Sequence, residues 1–261
     1  MRKSIHFLFC LVSCLLLVSS FAQKPAKQSF YQLTVYHYTT AEQEKVLDSY
    51  LQNALLPALH RQQYKDVGVF KAIANDTAKE KLLYVLITAP AVEQFTGVAA
   101  KLEKDAAYLQ AGKEYLDAVY TAAPYSRMET ILLKAFHLAP SLMKPNLQSA
   151  KKDRVYELRS YESATEKIFR NKVHMFNEGD EIGLFKRLNF NAIFYSEVIA
   201  GSKMPNLMYM TSFENMDERN AHWKAFGADE QWKKLSSDPF YQKNVSHIDI
   251  TFLRPADYSD Y

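Results

Sequence analysis

The stretch Tyr156-Glu-Leu-Arg-Ser-Tyr161 decides the fold, because its pattern occurs twice in the chain. Tyr31-Gln-Leu-Thr-Val-Tyr36 has the same Tyr-x-Leu-x-x-Tyr spacing 125 positions earlier. Leu82-Leu-Tyr84-Val and Leu207-Met-Tyr209-Met repeat at the same offset. Two matches at one offset and in one order indicate an internal repeat. The sequence therefore predicts two similar units, with Tyr36 equivalent to Tyr161 and Tyr84 equivalent to Tyr209.

Each unit is predicted to contain four strands and two helical regions. Aromatic and β-branched residues favour strands, and apolar residues at 3.6-residue spacing favour helices. The first unit gives strand 30–38, helix 40–63, strands 66–74 and 81–89, helices 91–119 and strand 126–136. The second gives strand 153–161, helix 163–187, strands 189–199 and 206–213, helices 216–236 and strand 244–254. Both have the βαββαβ order of a ferredoxin-like unit, which predicts an α+β protein.

Capping signals precede three of the predicted helices. They are Thr39-Thr40-Ala-Glu42-Gln43, Ser163-Ala-Thr-Glu166 and Asn215-Met-Asp-Glu218. In each, a Ser, Thr or Asn side chain is expected to accept a hydrogen bond from the first turn, while the residue three positions on reaches back. Pro57 falls within the first helix, where it is expected to produce a kink.

The two units are expected at residues 28–137 and 153–257, joined by a polar linker at 138–152. A four-stranded sheet covered by helices on one face leaves its other face bare, and two such sheets can cover each other. We therefore expect the units to pack sheet on sheet within one chain, as an intrachain pseudo-dimer of the dimeric α/β-barrel type. Pairing between chains in a homo-oligomer is the alternative.

The first 22 residues have the pattern of a cleaved signal peptide. Arg2 and Lys3 precede an apolar run, and Ser20-Phe-Ala22 is a small-x-small cleavage site. We therefore expect an exported protein, periplasmic or secreted, that is cut between Ala22 and Gln23. The apolar run is short for a membrane span, so no transmembrane segment is expected after cleavage.

The two cysteines, Cys10 and Cys14, both lie in this leader. Cleavage would leave a mature chain without thiols, so disulfides, thiolate nucleophiles and cysteine metal sites are not expected. Leu11-Val-Ser-Cys14 also resembles a bacterial lipobox, in which the cysteine is lipidated. Export as a lipoprotein through Cys14 is therefore the alternative.

The charge of the chain argues against nucleic acid as a partner. The formal net charge is +3, and Arg2 and Lys3 of the leader account for two of these charges, which leaves +1 for the mature chain. The sequence has no cluster of five or more Lys and Arg residues, whereas phosphate binding needs concentrated positive charge.

The second unit resembles the NIPSNAP family over Arg154 to Pro255. The resemblance lies in Tyr156-Glu-Leu-Arg-Ser-Tyr161, in Asn206-Leu-Met-Tyr209-Met-Thr-Ser-Phe213-Glu-Asn215-Met-Asp-Glu-Arg219, and in His222, Trp223, Phe226, Asp229 and Trp232. The first unit resembles the family less closely, because it lacks Trp and the corresponding Arg and acidic residues. Ala89, Val92 and Gln94 stand where the second unit has Glu214, Asp217 and Arg219.

The resemblance implies the fold of dimeric α/β-barrel proteins, a superfamily that includes cofactor-free monooxygenases and haem proteins. It implies no agreed reaction, and a fold alone does not transfer function. Because the family-like residues lie in the second unit, any function is expected to depend on that half. Arg159, Tyr161, Tyr209 and Arg219 are expected to matter most.

Strand alternation sorts the candidate site residues by face. Glu157, Arg159 and Tyr161 share one face of a strand, and on the last strand His247 shares a face with Asp249. If the two sheets pack with the more polar faces of their strands towards each other, these side chains form a ligand-binding cluster in the barrel interior. The alternative is a structural network of ion pairs and tyrosines. The candidate ligand-binding residues are Glu157, Arg159, Tyr161, Tyr209, Arg219, Trp223, His247 and Asp249, and Arg219 is expected to stack on Trp223 one helical turn away.

The motifs indicate no cofactor and no metal. Phosphate-loop, His-Glu-x-x-His and Gly-x-Ser-x-Gly patterns are absent from the sequence. A helical histidine that faces an apolar sheet can ligate haem iron, so haem bound through His174 is the alternative. The neighbouring acids Asp180 and Glu181 are interpreted as solvated.

Three functions fit these observations. A non-catalytic binding module for a small hydrophobic or aromatic ligand is preferred, because no motif specifies a reaction. An oxidoreductase similar to cofactor-free monooxygenases and a structural or partner-binding protein of the cell envelope are the alternatives. A cavity between sheet and helices with convergent Tyr, His and Arg side chains favours the first two functions. A filled interior with an exposed apolar patch favours the third.

Overall fold

The computed structural model describes residues 26–261, so the predicted signal peptide and both cysteines lie outside it. Each half of the described chain contributes four strands. Those of the first half are β1 (Phe30–Tyr38), β2 (Gly68–Ala72), β3 (Lys81–Ala89) and β4 (Arg127–Ala135). Those of the second half are β5 (Val155–Glu162), β6 (Asn191–Ala200), β7 (Asn206–Phe213) and β8 (His247–Pro255).

Helices follow the first and third strands of each half. In the first half they are α1 (Ala41–Tyr50), a π-helical segment (Leu51–Leu55), α2 (Leu56–Arg61), α3 (Glu93–Thr96), α4 (Val98–Leu102), α5 (Ala106–Ala111) and α6 (Lys113–Leu116). In the second half they are α7 (Glu166–Asn177), α8 (Glu181–Arg187), α9 (Met216–Ala228) and α10 (Glu230–Ser237). Both halves therefore have the βαββαβ order, and the α+β class is confirmed. No helix of residues 26–261 is long and apolar enough to cross a bilayer.

The eight strands form one closed barrel in the order β1-β3-β2-β8-β5-β7-β6-β4. The order is therefore β4-β1-β3-β2 in the first half and β8-β5-β7-β6 in the second. Both are the ferredoxin-like 4-1-3-2 arrangement. The two halves join through antiparallel pairing of β2 with β8 and of β4 with β6. Strands from both halves consequently enclose a single interior.

Both faces of the barrel wall are buried. The interior is filled by apolar and aromatic side chains from both halves, including Tyr31, Leu33, Phe70, Tyr156 and Leu158. The outer face is covered by helices, which form one further apolar core in each half. Because the barrel interior covers one face of β7 and helices cover the other, every residue of β7 is buried.

The helix starts follow the predicted signals in two cases out of three. Thr40 and Gln43 form the expected capping box at α1, and Asn215 accepts from the Glu218 amide at α9. Contrary to prediction, Ser163 is not the cap of α7. It is buried and donates to the carbonyl of Asn244 (2.7 Å), and Thr165 caps the helix instead. The single helix predicted over 40–63 is divided by the π-helical segment, and Pro57 stands in the first turn of α2, which follows it.

Replacing Thr165 by alanine is expected to lower the free energy of unfolding by about 1 kcal/mol, because its hydroxyl satisfies the Ile168 amide. Ser237→Ala, which removes an exposed hydroxyl bonded only to the Lys234 carbonyl, should change it by less than about 0.5 kcal/mol. Urea unfolding of the two variants measures the difference. Equal losses would mean that Thr165 does not cap α7.

The predicted equivalence of Tyr84 and Tyr209 is wrong by one residue. Tyr36 pairs with Leu83, and Tyr161 pairs with Leu207, so Leu83 corresponds to Leu207. Tyr84 consequently lies opposite Val35 and faces the barrel interior, whereas Tyr209 lies opposite Arg159 and faces the helices. The offset between the halves is thus 125 residues at the first strand and 124 at the third. A one-residue change of this kind moves a side chain to the other face of a sheet.

Candidate functional site

The Glu157 carboxylate is the centre of a buried polar cluster on the outer face of β5. Its Oε1 accepts from Arg159 Nε (2.6 Å) and Arg219 NH2 (2.8 Å). Its Oε2 accepts from Arg219 Nε (2.7 Å) and Trp223 Nε1 (2.7 Å). The Glu157 side chain is fully buried, and those of Arg159 and Arg219 are 11% and 16% exposed. One carboxylate is therefore shared by two guanidinium groups, which leaves an excess positive charge.

Strand and helix periodicity together place these groups. Glu157, Arg159 and Tyr161 alternate along β5 on the side that faces the helices. Asn215 fixes the start of α9, so that Arg219 and Trp223 lie one turn apart above the strand. Arg219 lies over the Trp223 ring, as predicted, but a second guanidinium group lies closer to it. The Arg159 guanidinium carbon lies 3.7 Å from the Trp223 ring centre, whereas that of Arg219 lies 5.6 Å away.

Electrostatics keep the cluster ionised. Burial alone would raise the pKa of Glu157, but hydrogen bonds and charges from Arg219 and Arg159 lower it below its ordinary value. Burial alone would lower the pKa of Arg159, but Tyr209, Tyr161 and Glu157 together raise it. Burial raises the pKa of Tyr209 well above its ordinary value. At neutral pH the cluster therefore holds a carboxylate, two guanidinium ions and a neutral tyrosine hydroxyl.

A chain of hydroxyl groups continues from Arg159. Arg159 NH1 donates to the Tyr161 hydroxyl (3.0 Å), which lies 2.9 Å from the Tyr209 hydroxyl. The two rings meet edge to face, with centroids 5.5 Å apart. Tyr209 is fully buried against Phe176, Phe185 and Tyr195.

A cavity of about 370 Å³ opens beside this chain, between β5 and helices α7 to α10. We call it the helix-side cavity. Its wall combines Arg159, Tyr161 and Tyr209 with the apolar or aromatic side chains Met175, Trp223, Phe226, Trp232 and Ile248. Lys172 and Glu181 also line it and form an ion pair (2.8 Å) with side chains only 5% and 3% exposed.

The interpretation of Glu181 as solvated is therefore wrong, and sequence reasoning missed Lys172 altogether. Lys172 stands on the apolar stripe of α7, three residues after Phe169 and three before Met175, and all three are buried. A lysine on the buried stripe of a helix was the available signal, because burial of a charge requires a partner.

His247 and Asp249 do not join the Glu157 cluster, contrary to prediction. In the β5–β8 ladder, Ile248 and Ile250 lie opposite Tyr161 and Arg159, whereas His247 and Asp249 lie opposite Glu162 and Ser160. His247 and Asp249 therefore belong to the other face, which borders the barrel interior. The predicted cluster is split in two because its charged and tyrosine half faces the helices and not the interior.

His174, the alternative haem ligand, does not face the sheet. It is exposed, its Nδ1 lies 2.9 Å from the Tyr241 hydroxyl, and its ring packs edge-on against Phe240. The geometry that motivated haem ligation, a helical histidine directed at an apolar sheet, is therefore not present at His174.

The first half has a different cavity at the corresponding place. Gln32 and Thr34 stand at the β1 positions that match Glu157 and Arg159. They line a cavity of about 290 Å³ together with Tyr36, Tyr50 and Tyr115, and no charged side chain lines it. The charged arrangement is therefore specific to the second half.

Comparisons with known proteins agree with this fold. The chain is similar to a candidate monooxygenase from Fusobacterium nucleatum subsp. nucleatum (7% identity, TM-score 0.57), with 88% of this chain and 93% of that one covered. A candidate monooxygenase from Lactobacillus acidophilus NCFM gives 10% identity, a TM-score of 0.56 and coverages of 87% and 94%. At such identities the likeness shows the fold alone. No curated protein sequence matches the chain.

The second half has a family assignment of its own. A NIPSNAP-like domain protein from Burkholderia xenovorans covers 42% of this chain and 91% of its own, with 15% identity and a TM-score of 0.38. The NIPSNAP family model matches residues 156–260, which contain the whole Glu157 cluster. The second half of the chain is therefore a NIPSNAP domain.

Proposed function

We propose that this protein binds a small, mainly apolar or aromatic molecule through an anionic oxygen, in the helix-side cavity of its NIPSNAP domain. The ligand oxygen would be a carboxylate, phenolate or enolate. The observation that carries this proposal is an unmatched hydrogen-bond donor at the end of the Arg159–Tyr161–Tyr209 chain.

The donors and acceptors of this chain can be counted. Arg159 donates to the Tyr161 oxygen, and one of the two tyrosine hydroxyls donates to the other. Whichever hydroxyl does so, the proton of the second has no acceptor among residues 26–261. A buried donor without a partner is costly, about 1–3 kcal/mol, so an acceptor from a ligand would stabilise the arrangement.

The charge of the cavity favours an anionic acceptor. Arg159 and Arg219 share the single carboxylate of Glu157, and the nearby Lys172 is neutralised by Glu181. The excess positive charge therefore lies on guanidinium groups, of which Arg159 lines the cavity. Hydrogen bonds between guanidinium and anionic oxygen are strong because both partners are charged.

The remaining wall suits an apolar or aromatic body. Trp223, Phe226 and Trp232 contribute ring faces and edges, and Met175 adds a flexible apolar side chain. A volume of about 370 Å³ lies within the range of small-molecule sites in proteins.

Binding is expected to depend on Arg159 and Tyr209. Native mass spectrometry of the purified protein would first identify any retained molecule, and calorimetry with aromatic carboxylates and phenols would follow. Arg159→Met should weaken binding at least about tenfold, because hydrogen bonds to charged groups contribute about 1.5–3 kcal/mol. Tyr209→Phe, which removes one hydroxyl, should weaken it about threefold to tenfold.

Tyr36→Phe is the matched control, because Tyr36 occupies the place of Tyr161 in the first half. It should leave binding unchanged. If no such compound binds, nothing is retained, and Arg159→Met only lowers the melting temperature, the cluster has a purely structural role.

Oxidation of the bound molecule is the second candidate function. The guanidinium and hydroxyl donors would stabilise an enolate or phenolate, which is more electron-rich than its neutral form. Dioxygen uptake with a bound ligand, compared between the natural protein and Arg159→Met, tests this function. Binding without uptake supports the non-catalytic proposal.

We propose further that the two halves are repeats of one unit and that the chain supplies both halves of a barrel that two subunits would otherwise form. The shared 4-1-3-2 strand order and the two cross-half strand pairs support this proposal. The mass of the protein in solution at micromolar concentration tests whether one chain suffices.

Export is proposed from the sequence of the leader. N-terminal sequencing of the protein from its natural host is expected to begin at Gln23. A chain that starts at a lipidated Cys14 would identify a lipoprotein, and one that starts at Met1 would contradict export by this route.

A further inference from the structure

A second cavity, of about 340 Å³, opens at one end of the barrel interior. We call it the barrel-mouth cavity. Its floor is apolar, with Val35, Leu158 and Met208, and its rim carries Asn206 and Asp249. It lies on the opposite face of β5 from the helix-side cavity, so the two do not share a site.

Three side chains of the types that bind metals converge around Asp249 of this rim. Glu162, the last residue of β5, lies directly opposite His247, the first residue of β8, and Asp249 follows on the same face. His247 Nε2 is 3.0 Å from Asp249 Oδ1, and one ligand atom from each of the three residues lies within 4.8 Å of the others. Within residues 26–261 this is the only group of three such side chains at that spacing.

A buried amide oxygen beside this group lacks a hydrogen-bond partner. Asn206 lies opposite Glu162 on the other side of β5, so His247, Glu162 and Asn206 form one row across three strands. Asn206 is only 3% exposed and donates through Nδ2 to Ser160 (2.8 Å), but its Oδ1 accepts from no group among the described residues. The half-buried Glu162 side chain also makes no hydrogen bond or ion pair within residues 26–261. Two oxygen acceptors next to a histidine are thus without a protein donor.

We propose that Glu162, His247 and Asp249 bind a divalent transition-metal cation at the mouth of the barrel. One imidazole nitrogen and two carboxylates form a donor set suited to Zn²⁺, Mn²⁺, Co²⁺ or Ni²⁺, since imidazole favours transition metals over Ca²⁺ and Mg²⁺. Asp249 borders the barrel-mouth cavity, so a further coordination position would be accessible to a small molecule there. This site was not indicated by the spacing of histidines in the sequence.

The first half shows why the site belongs to the second half alone. The register of the strands matches Glu162 with His37, His247 with Arg127, and Asp249 with Glu129. Arginine cannot ligate a cation, because its guanidinium stays protonated. His37 Nδ1 lies 3.3 Å from Glu80 Oε1, and its Nε2 lies 3.5 Å from Glu129 Oε1. Because the two carboxylates lie on opposite sides of the imidazole ring, one ion bound to His37 could not be ligated by both.

Lys203 makes an independent test available. Its ammonium group pairs with Asp249 Oδ2, on the carboxylate that would ligate the metal. A cation at Asp249 would be repelled by Lys203. Replacing Lys203 by methionine should therefore strengthen metal binding, whereas the same change would weaken a site for an anion.

The experiment is calorimetric titration of the untagged protein with ZnCl₂ and MnCl₂, in a Cys10→Ser/Cys14→Ser background that removes the thiols of the leader. One equivalent of at least one metal is expected to bind. His247→Ala and Glu162→Gln should each weaken it at least tenfold, and Lys203→Met should tighten it severalfold. His60→Ala is the matched control, because His60 also pairs with a carboxylate, Asp260 (2.9 Å), but belongs to no group of three ligands.

Two results would overturn the proposal. One is the absence of saturable binding for both metals in the Cys10→Ser/Cys14→Ser protein and in its Lys203→Met variant. The other is binding that His60→Ala weakens as much as His247→Ala does, which would place the ion elsewhere. Thermal unfolding followed by circular dichroism confirms that each variant is folded. Glu162, Lys203, His247 and His60 are all at least partly exposed.

Discussion

Replacing Glu157 by glutamine is expected to lower the free energy of unfolding by about 3–5 kcal/mol, because it leaves two buried guanidinium groups without their counter-ion. Glutamine keeps the shape of the side chain, so the loss would report charge and hydrogen bonding, not packing. Only one oxygen would remain for Arg159, Arg219 and Trp223, which together donate to both carboxylate oxygens.

Asp117→Asn is the control for removal of an acidic charge. Asp117 pairs with Lys113 one turn away on the surface, where both side chains are more than half exposed. Exposed pairs contribute at most about 1 kcal/mol, so this variant should be close to the natural protein. Urea unfolding at neutral pH measures both. A Glu157→Gln loss no larger than the Asp117→Asn loss would show that the cluster does not stabilise the domain.

The stabilisation by Glu157 should also depend on pH. Its pKa in the folded protein is lowered from the ordinary value of 4.5, so the folded state holds this proton less tightly than the unfolded state. Its contribution is therefore fully present above about pH 4.5 and is lost as the pH falls through the lowered folded value. The difference in stability between the natural protein and Glu157→Gln should be constant from pH 7 down to about pH 4.5 and shrink at lower pH.

Sequence periodicity could predict which residues share a face, and it did so for Glu157, Arg159 and Tyr161. It could also place Arg219 and Trp223 one helical turn apart. It could not decide which face of β5 looks into the barrel. Alternation identifies the buried face only where the other face is exposed, and here helices bury one face and the barrel interior the other.

Two further errors have separate physical origins. Tyr84 and Tyr209 match in sequence, but the chain between the first and third strands is one residue shorter in the second half, which places the two tyrosines on opposite faces. From the sequence a solvated Glu181 is the natural expectation, because acidic residues are usually exposed. Its partner Lys172 is nine residues away on the preceding helix, a separation that local pattern rules do not cover.

The buried Lys172–Glu181 pair should respond in opposite ways to single and double replacement. Lys172→Met is expected to cost about 3–5 kcal/mol, because it leaves the Glu181 carboxylate, 2% exposed, without a counter-ion. The double variant Lys172→Met/Glu181→Leu removes both charges and fills the space with apolar groups. Its free energy of unfolding should lie within about 1 kcal/mol of that of the natural protein or be higher. The reason is that the cost of desolvating two buried charges roughly cancels the attraction between them.

The double variant then separates structure from binding. If it is as stable as the natural protein but binds aromatic carboxylates or phenols more weakly, the pair serves the helix-side cavity and not the fold. Calorimetry with the same compounds as for Arg159→Met supplies that measurement. If the double variant loses as much stability as Lys172→Met, the hydrogen-bond geometry of the pair outweighs its desolvation, and the pair is itself a source of stability. Because the two outcomes differ by about 2 kcal/mol or more, urea unfolding distinguishes them directly.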